Sequence, residues 1–219
     1  MNFASLSRIY SEPPFREKEI LRYAGCREAD EESTGLLKEC IEEVRPKLTY
    51  KVCYCELPVK TDGSVSDFGA FSLQSEKLAL YMEKCEKAIL FAATVGIEID
   101  RLIGKYGRLS PSKALMFQAI GAERIEALCD AFCADIKEEY NVLSALRFSP
   151  GYGDLPLSAQ KDIFAVLDPQ RKIGLTLNSS LLMSPAKSVT AFVGLGGKEK
   201  RSSNKCGGCG KTGCVFRGA

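Results

Sequence analysis

The sequence predicts a mixed α+β fold, a single domain with a mainly antiparallel sheet and flanking helices. Helical periodicity dominates the first two thirds of the chain, and strand-like segments lie among the helices and return near the end. A strict alternation of strand and helix would instead predict a parallel sheet. A length of 219 residues suits one substantial core. We expect the domain to cover residues 1–196, with a flexible link and a cysteine-rich tail over 197–219.

Helices are predicted where apolar residues recur every three or four positions. These segments are 17–23, 31–44, 76–85, 110–140 and 159–167. The fourth segment is the most regular, because Ile125, Leu128, Phe132 and Ile136 form one apolar stripe. Ser110 followed by a proline is typical of a helix start, with serine as the cap.

Strands are predicted from alternating or continuous apolar runs of strand length. These runs are 48–59, 67–72, 87–96, 172–177 and 188–195. The third run is apolar throughout and ends in a glycine, which indicates a buried strand leading into the next helix.

Composition excludes several classes of function. The chain has 30 basic and 28 acidic residues, so it lacks the electrostatic footprint of a nucleic-acid-binding protein. No apolar run approaches the length of a bilayer span, and the first residues do not form a signal peptide. We therefore expect a cytoplasmic protein with no membrane partner. The chain contains no histidine, which excludes histidine bases, histidine triads and histidine metal ligands within it.

The loop ALRFSPGYGDLP, residues 145–156, follows the longest predicted helix. Arg147 offers a planar fork for a carboxylate or phosphate. Pro150 stiffens the chain, Gly151 allows close approach of the backbone to a ligand, and Tyr152 supplies a ring and a hydroxyl. The residues fit a site for a small molecule with a carboxylate and a flat ring. They also fit a structural loop in which Arg147 pairs with a helix end and Tyr152 packs.

Four ordered blocks carry a resemblance to a known family. They are RFSPGY at 147–152, IFAVLD at 163–168, IGLTL at 173–177 and MSPAKSVTAF at 183–192. Together they resemble the S-adenosylmethionine-binding activation domain at the C-terminal end of cobalamin-dependent methionine synthase. The helical segment LCDAFCADIKEE at 128–139 is similar to the long acidic helix of that family.

The resemblance implies a set of ligand-binding residues. Arg147 would bind the methionyl carboxylate of S-adenosylmethionine, and the loop backbone with Tyr152 would line the site. The other implied loop residues are Ser149, Pro150 and Gly151. Asp130 would lie near the amino end of the ligand, although a solvated helix carboxylate is an equal alternative for this residue.

The resemblance also implies a role in reactivation. The domain would present the methyl group of S-adenosylmethionine to oxidised cobalamin, with an electron supplied by a reductant such as flavodoxin or ferredoxin. The sequence holds no cobalamin, folate or homocysteine module, so we expect action on a separate methionine synthase that lacks its own activation domain. The chain would position reactants, and none of its side chains need act as a general acid or base.

The tail KCGGCGKTGCVFR contains a second candidate site. Cys206, Cys209 and Cys214 follow a C-x2-C-x4-C spacing among glycines, which suits an iron-sulfur cluster or zinc. Cys53 or Cys55 could add a fourth ligand, because both flank one residue of a predicted strand and would share a face. The alternative is an oxidation-prone tail without metal. An electron-transfer or metal-binding adaptor for a corrinoid methyltransferase is thus the second functional hypothesis.

Overall fold

The computed structural model describes residues 3–26, 30–142 and 146–196. The elements, in chain order, are β1 (Leu6–Ile9), α1 (Glu17–Tyr23), α2 (Glu31–Val44), β2 (Lys51–Pro58), β3 (Lys60–Asp62), β4 (Val65–Asp67), β5 (Ser72–Gln74), α3 (Glu76–Met82), β6 (Lys87–Thr94), α4 (Glu98–Leu109), α5 (Pro111–Glu139), α6 (Gln160–Leu167), α7 (Pro169–Ile173), β7 (Thr176–Leu177), β8 (Met183–Ser184) and β9 (Ser188–Leu195). Short 3₁₀ turns cover Arg45–Lys47 and Leu157–Ala159. The predicted link and cysteine tail lie outside the described residues.

A four-stranded sheet in the order β1-β2-β6-β9 forms the centre of the fold. Every neighbouring pair in it is antiparallel, and the central pair places Tyr54 opposite Phe91. β3, β4 and β5 form a separate three-stranded sheet. The predicted α+β class with a mainly antiparallel sheet is therefore confirmed.

Side chains along each strand of the central sheet point alternately to its two faces, and each face packs in its own apolar cluster. Both faces are therefore buried. Tyr54 and Phe91 point to one cluster, where they pack against Phe132 of α5 at ring-centroid distances of 5.3 and 4.8 Å. Cys55 and Phe192 belong to the other cluster, which α6 and α7 help to cover. The sheet is thus sandwiched between two helical layers.

Several elements differ from the sequence-based predictions. Helix α5 begins and ends close to the predicted bounds, but the side chain of Ser110 makes no capping hydrogen bond. The predicted strand over 67–72 is a connection between β4 and β5, and Gly69 lies there at φ +74°. The predicted strand over 172–177 contains the end of α7 and only a two-residue strand, because Pro169 starts a further helical turn. The edge strand β1 was not predicted, since its residues are mostly exposed and lack a clear apolar pattern.

Two attachments hold the loop of residues 146–156 against the fold. Phe148 pairs with Phe192 of β9 through two backbone hydrogen bonds of 2.9 and 2.8 Å. At the other end, the Asp154 carboxylate accepts hydrogen bonds from the backbone N–H groups of Glu76 and Lys77 at the start of α3. The same carboxylate accepts one from the Ser75 hydroxyl. The loop is therefore fixed to the sheet edge and to a helix start.

No helix within residues 3–26, 30–142 and 146–196 combines the length and the apolar character that crossing a membrane requires.

We expect Asp154→Asn to lower the melting temperature near neutral pH. Hydrogen bonds from Ser75, Glu76 and Lys77 lower the pKa of Asp154. Because this pKa is lower in the folded state, the stabilisation is present above the unfolded value of about 3.9 and is lost as the pH falls through the folded value. Thermal unfolding should be followed from neutral pH down through the folded pKa of Asp154. The difference in melting temperature between wild type and variant should become smaller as the pH falls. The exposed carboxylate of Asp62 provides a control, Asp62→Asn, and a pH-independent difference for Asp154→Asn would contradict the prediction.

Candidate ligand-binding site

A cavity of about 840 Å³ opens between α1, α5, the loop of residues 146–156 and the connection from β8 to β9. Ligand sites in proteins commonly have volumes of about 300 to 1,000 Å³. The charged residues of its wall are Glu19, Glu126, Asp130, Arg16, Arg22 and Lys187. The wall therefore suits a molecule that carries charges of both signs.

A buried ion pair on α5 organises one side of the cavity. The side chains of Glu123 and Arg124 are both fully buried, and the Arg124 guanidinium donates to the Glu123 carboxylate. Arg124 also donates to the carbonyl oxygens of Pro13 and Pro14 at 2.6 and 2.7 Å, and it stacks on the Phe15 ring at 3.8 Å. These contacts fasten the segment before α1 onto α5.

The contacts of Arg124 with residues 13–15 also bring Arg16 to the cavity. Arg16 Nε donates to Glu123 Oε1, and Arg16 Nη1 donates to Asp130 Oδ2, both at 2.9 Å. Burial lowers the pKa of Arg16, but the hydrogen bonds and charges of Glu123 and Asp130 raise it overall. Arg16 is thus a permanent cation in the wall.

Asp130 lines the cavity between two arginines. Arg16 contacts one of its oxygens, and Arg147 Nη1 lies 3.2 Å from the other. The carboxylate is partly exposed, with a side-chain accessibility of 40%. It is therefore an ion-paired and partly solvated residue of the cavity wall.

Arg147 lies behind the cavity wall. Its side chain is 15% exposed, and Nη2 donates to Glu126 Oε2 at 2.7 Å. Nη1 is buried and makes no hydrogen bond, since its contact with Asp130 is an ion pair without hydrogen-bond geometry. Burial lowers the pKa of Arg147, and electrostatic interactions with Cys129, Glu126, Cys133 and Asp130 more than offset this effect. Arg147 therefore stays charged and keeps donor capacity on Nη1.

The other predicted loop residues occupy different positions. Tyr152 lines the cavity, is 52% exposed and contacts the Phe148 ring edge-on at a centroid distance of 6.3 Å. Ser149 accepts a hydrogen bond from the Tyr152 N–H, and Gly151 donates one to Leu155 within the same turn. Gly151 has φ +83°, a conformation that favours glycine. Among the described residues, the cavity wall does not include Ser149, Pro150 or Gly151.

Lys187 enters the cavity from the connection between β8 and β9. The backbone N–H of its neighbour Ala186 donates to Asp100 Oδ2 at 2.7 Å, which ties this connection to α4. Burial lowers the pKa of Lys187, and the charge of Asp100 opposes the shift. Within residues 3–26, 30–142 and 146–196, no carboxylate lies within ion-pair distance of its ammonium.

The cysteines predicted to bind metal fall into two groups. Cys206, Cys209 and Cys214 lie outside the described residues. Cys53 and Cys55 share one face of β2 as expected, but both are buried in the apolar cluster beside α6 and α7. Burial raises the pKa of each thiol to about 12, so both are protonated at neutral pH. The fourth-ligand role of Cys53 or Cys55 stays a prediction, because its partner cysteines lie outside the described residues.

Sequence reasoning missed most of the cavity wall, including Glu126, Arg16 and Lys187. Glu126 lies four positions before Asp130 and shares its helix face, so the i,i+4 spacing could have revealed it. Arg16 gives no local signal, because a tertiary contact with Glu123 brings it to the site. Lys187 belongs to a block used for the resemblance, but its side chain was not assigned a role.

The fold and cavity together define an α+β domain with a cleft of ligand size that has charged residues in its wall. A family model described as "Vitamin B12 dependent methionine synthase, activation domain" matches residues 78–203, which is more than half of the chain. This chain belongs to that family of activation domains. The suspected family is therefore confirmed, and a role in methionine synthase activation follows at the level of the family.

A solved structure supports the same fold. The crystal structure of the MetH reactivation domain bound to AdoHcy matches with a TM-score of 0.67 and 15% sequence identity. The match covers 92% of this chain and 81% of that chain. A search of curated proteins found no match.

Proposed function

We propose that the cavity binds S-adenosylmethionine. The observation that carries this proposal is the meeting of Tyr152 and Asp130 in the wall of one ligand-sized cavity, with Arg147 ion-paired directly behind it. The AdoHcy bound in the MetH reactivation domain supports the choice of ligand, because AdoHcy is the thioether that remains when S-adenosylmethionine has transferred its methyl group.

The charges in the wall fit the amino-acid end of this ligand. Asp130 and Glu126 are acceptors for an ammonium group. Arg147 is the proposed partner of the carboxylate, because buried Nη1 retains donors that no described residue uses in a hydrogen bond. Ser149, Pro150 and Gly151 would support Tyr152 through the turn that they form. A ligand with adjacent opposite charges would then meet both signs without leaving a buried charge unpaired.

We propose that the chain positions this methyl donor for a cobalamin carried by a separate methionine synthase. S-adenosylmethionine supplies the methyl group, and a flavodoxin or ferredoxin supplies the one electron that the oxidised cobalt requires. The methyl group would leave the sulfonium sulfur for the cobalamin that the partner carries, and the thioether would be released. The residues of this chain bind and orient the donor, and a fixed geometry is their contribution to the rate.

Binding of S-adenosylmethionine is the primary test. We expect isothermal titration to detect binding to the wild type and a loss of about tenfold or more in affinity for Arg147→Lys. Lysine preserves the charge that faces Glu126 and Asp130, but it lacks the planar fork that suits a carboxylate. Arg171→Lys is the matched control, because the Arg171 side chain is 85% exposed. Equal affinity of wild type and Arg147→Lys would remove the assigned role of this arginine.

Action on a separate polypeptide is tested by reconstitution. A methionine synthase lacking its activation domain, inactivated by cobalamin oxidation, is mixed with this chain, S-adenosylmethionine and reduced flavodoxin. We expect the visible spectrum of the cobalamin to change to that of the methylated form and activity to return. Omission of the chain should leave the oxidised spectrum, and equal recovery without it would contradict the proposal.

We further propose that Cys206, Cys209 and Cys214 bind an iron-sulfur cluster or zinc. The support is their C-x2-C-x4-C spacing among glycines. Anaerobically purified protein should contain iron and sulfide, with visible absorbance, or stoichiometric zinc. Replacing all three cysteines with serine should abolish the metal, whereas Cys26→Ser, a control on a half-buried thiol, should not. Metal-free wild type would overturn the proposal.

A further inference from the structure

Lys187 is the cavity cation that the proposed carboxylate site leaves unused. Arg16 is paired with Glu123 and Asp130, and Arg22 is paired with Glu19. In the described part of the chain, the Lys187 ammonium has neither a hydrogen-bond acceptor nor an ion-pair partner. Its three donors are therefore available to a molecule in the cavity.

The stem of Lys187 is held against α5 at a glycine. A Cβ atom added at Gly121 would come within 2.9 Å of both Cγ and Cε of Lys187, and within 3.0 Å of Ile99. The lysine stem thus lies directly on the helix backbone. The stem is therefore confined on the α5 side, and Lys187 is one of the residues that line the cavity.

Lys187 and Arg147 contact different parts of α5. The stem of Lys187 crosses Gly121, whereas Arg147 contacts Glu126 and Asp130. Five to nine residues of helix separate these points, which corresponds to about 8 to 14 Å along the axis at 1.5 Å per residue. The two cations therefore serve different ends of an elongated ligand.

We propose that Lys187 binds the adenosine part of the ligand and determines specificity for it. This inference rests on the proposed function, because it assumes that Arg147 holds the carboxylate of S-adenosylmethionine. The opposite end of that molecule carries ribose hydroxyls and adenine ring nitrogens, which are acceptors for an ammonium donor. Lys187 would then recognise the nucleoside, while Arg147, Glu126 and Asp130 recognise the amino acid.

The test compares two ligands with a shared nucleoside. S-adenosylmethionine carries both ends, and 5′-methylthioadenosine carries the nucleoside without the amino acid. We expect Lys187→Met to weaken both by the same factor of about ten to a hundred, since one hydrogen bond from a charged donor is lost. Arg147→Lys should weaken S-adenosylmethionine more than 5′-methylthioadenosine. Isothermal titration measures the first ligand, and competition against it measures the second.

The possible outcomes distinguish failure of the Lys187 inference from failure of the proposed function. Lys187→Met could weaken S-adenosylmethionine but leave 5′-methylthioadenosine unchanged. That result would place the lysine at the carboxylate and overturn the inference, while the proposed function would stand. Unchanged affinity for both ligands would exclude a ligand contact. A wild type that binds neither ligand would overturn the proposed function and this inference with it.

A second pair of variants tests the placement of Lys187 without relying on the folding of Lys187→Met. Gly121→Ala keeps the lysine but introduces the Cβ that would displace its stem, so we expect weaker binding of both ligands. In a Lys187→Ala background the stem is absent and only the contact with Ile99 remains, so Gly121→Ala should have a smaller effect on binding. Equal effects of Gly121→Ala in the two backgrounds would overturn the proposed placement. Melting temperatures of all variants report whether each is folded.

Discussion

The buried pair of Glu123 and Arg124 is the interaction on which the cavity depends. Removing two charges from water is costly unless both are paired and hydrogen-bonded, and here Arg124 also satisfies the carbonyls of Pro13 and Pro14. Breaking such a pair by removing one partner typically costs about 3–5 kcal/mol, because the other charge stays buried. The pair thus fixes the path of the segment before α1. Without this segment, Arg16 and the α1 wall would not face α5.

From this anchor a row of alternating charges extends along the cavity. Glu123 is followed by Arg16, then Asp130, Arg147 and Glu126, with each carboxylate next to at least one guanidinium. Alternation lets the charges compensate one another within the protein. Because tertiary contacts fix Arg16 and Asp130, these two charges would need little reorganisation on binding of a zwitterion. Preorganisation of this kind reduces the entropic cost of binding.

The sequence predicted those parts of the molecule whose signals are local. The apolar stripe of α5 and the continuous apolar run of β6 were enough to predict these two elements, because burial imposes a regular pattern of apolar residues on a helix or strand. The loop at Arg147 was found from residue chemistry and resemblance, yet the pairing of this arginine with Glu126 was not. Arg16 could not be found, since 107 positions separate it from Glu123. A polar site assembled from distant segments leaves no periodic trace in any one of them.

Gly121 shows how a departure from local preference can indicate function. Glycine in a helix interior costs about 0.5–1 kcal/mol relative to alanine, and this position lies well inside the 29-residue helix α5. Stability alone would favour alanine, but the space of its methyl group is taken by the stem of Lys187 and by Ile99. The lysine stem would pack equally well as an apolar side chain, and burial disfavours its charge. The combination of a costly glycine with an ammonium that has no hydrogen-bond acceptor among the described residues is therefore better explained by a ligand that accepts hydrogen bonds from Lys187 than by the packing of the fold.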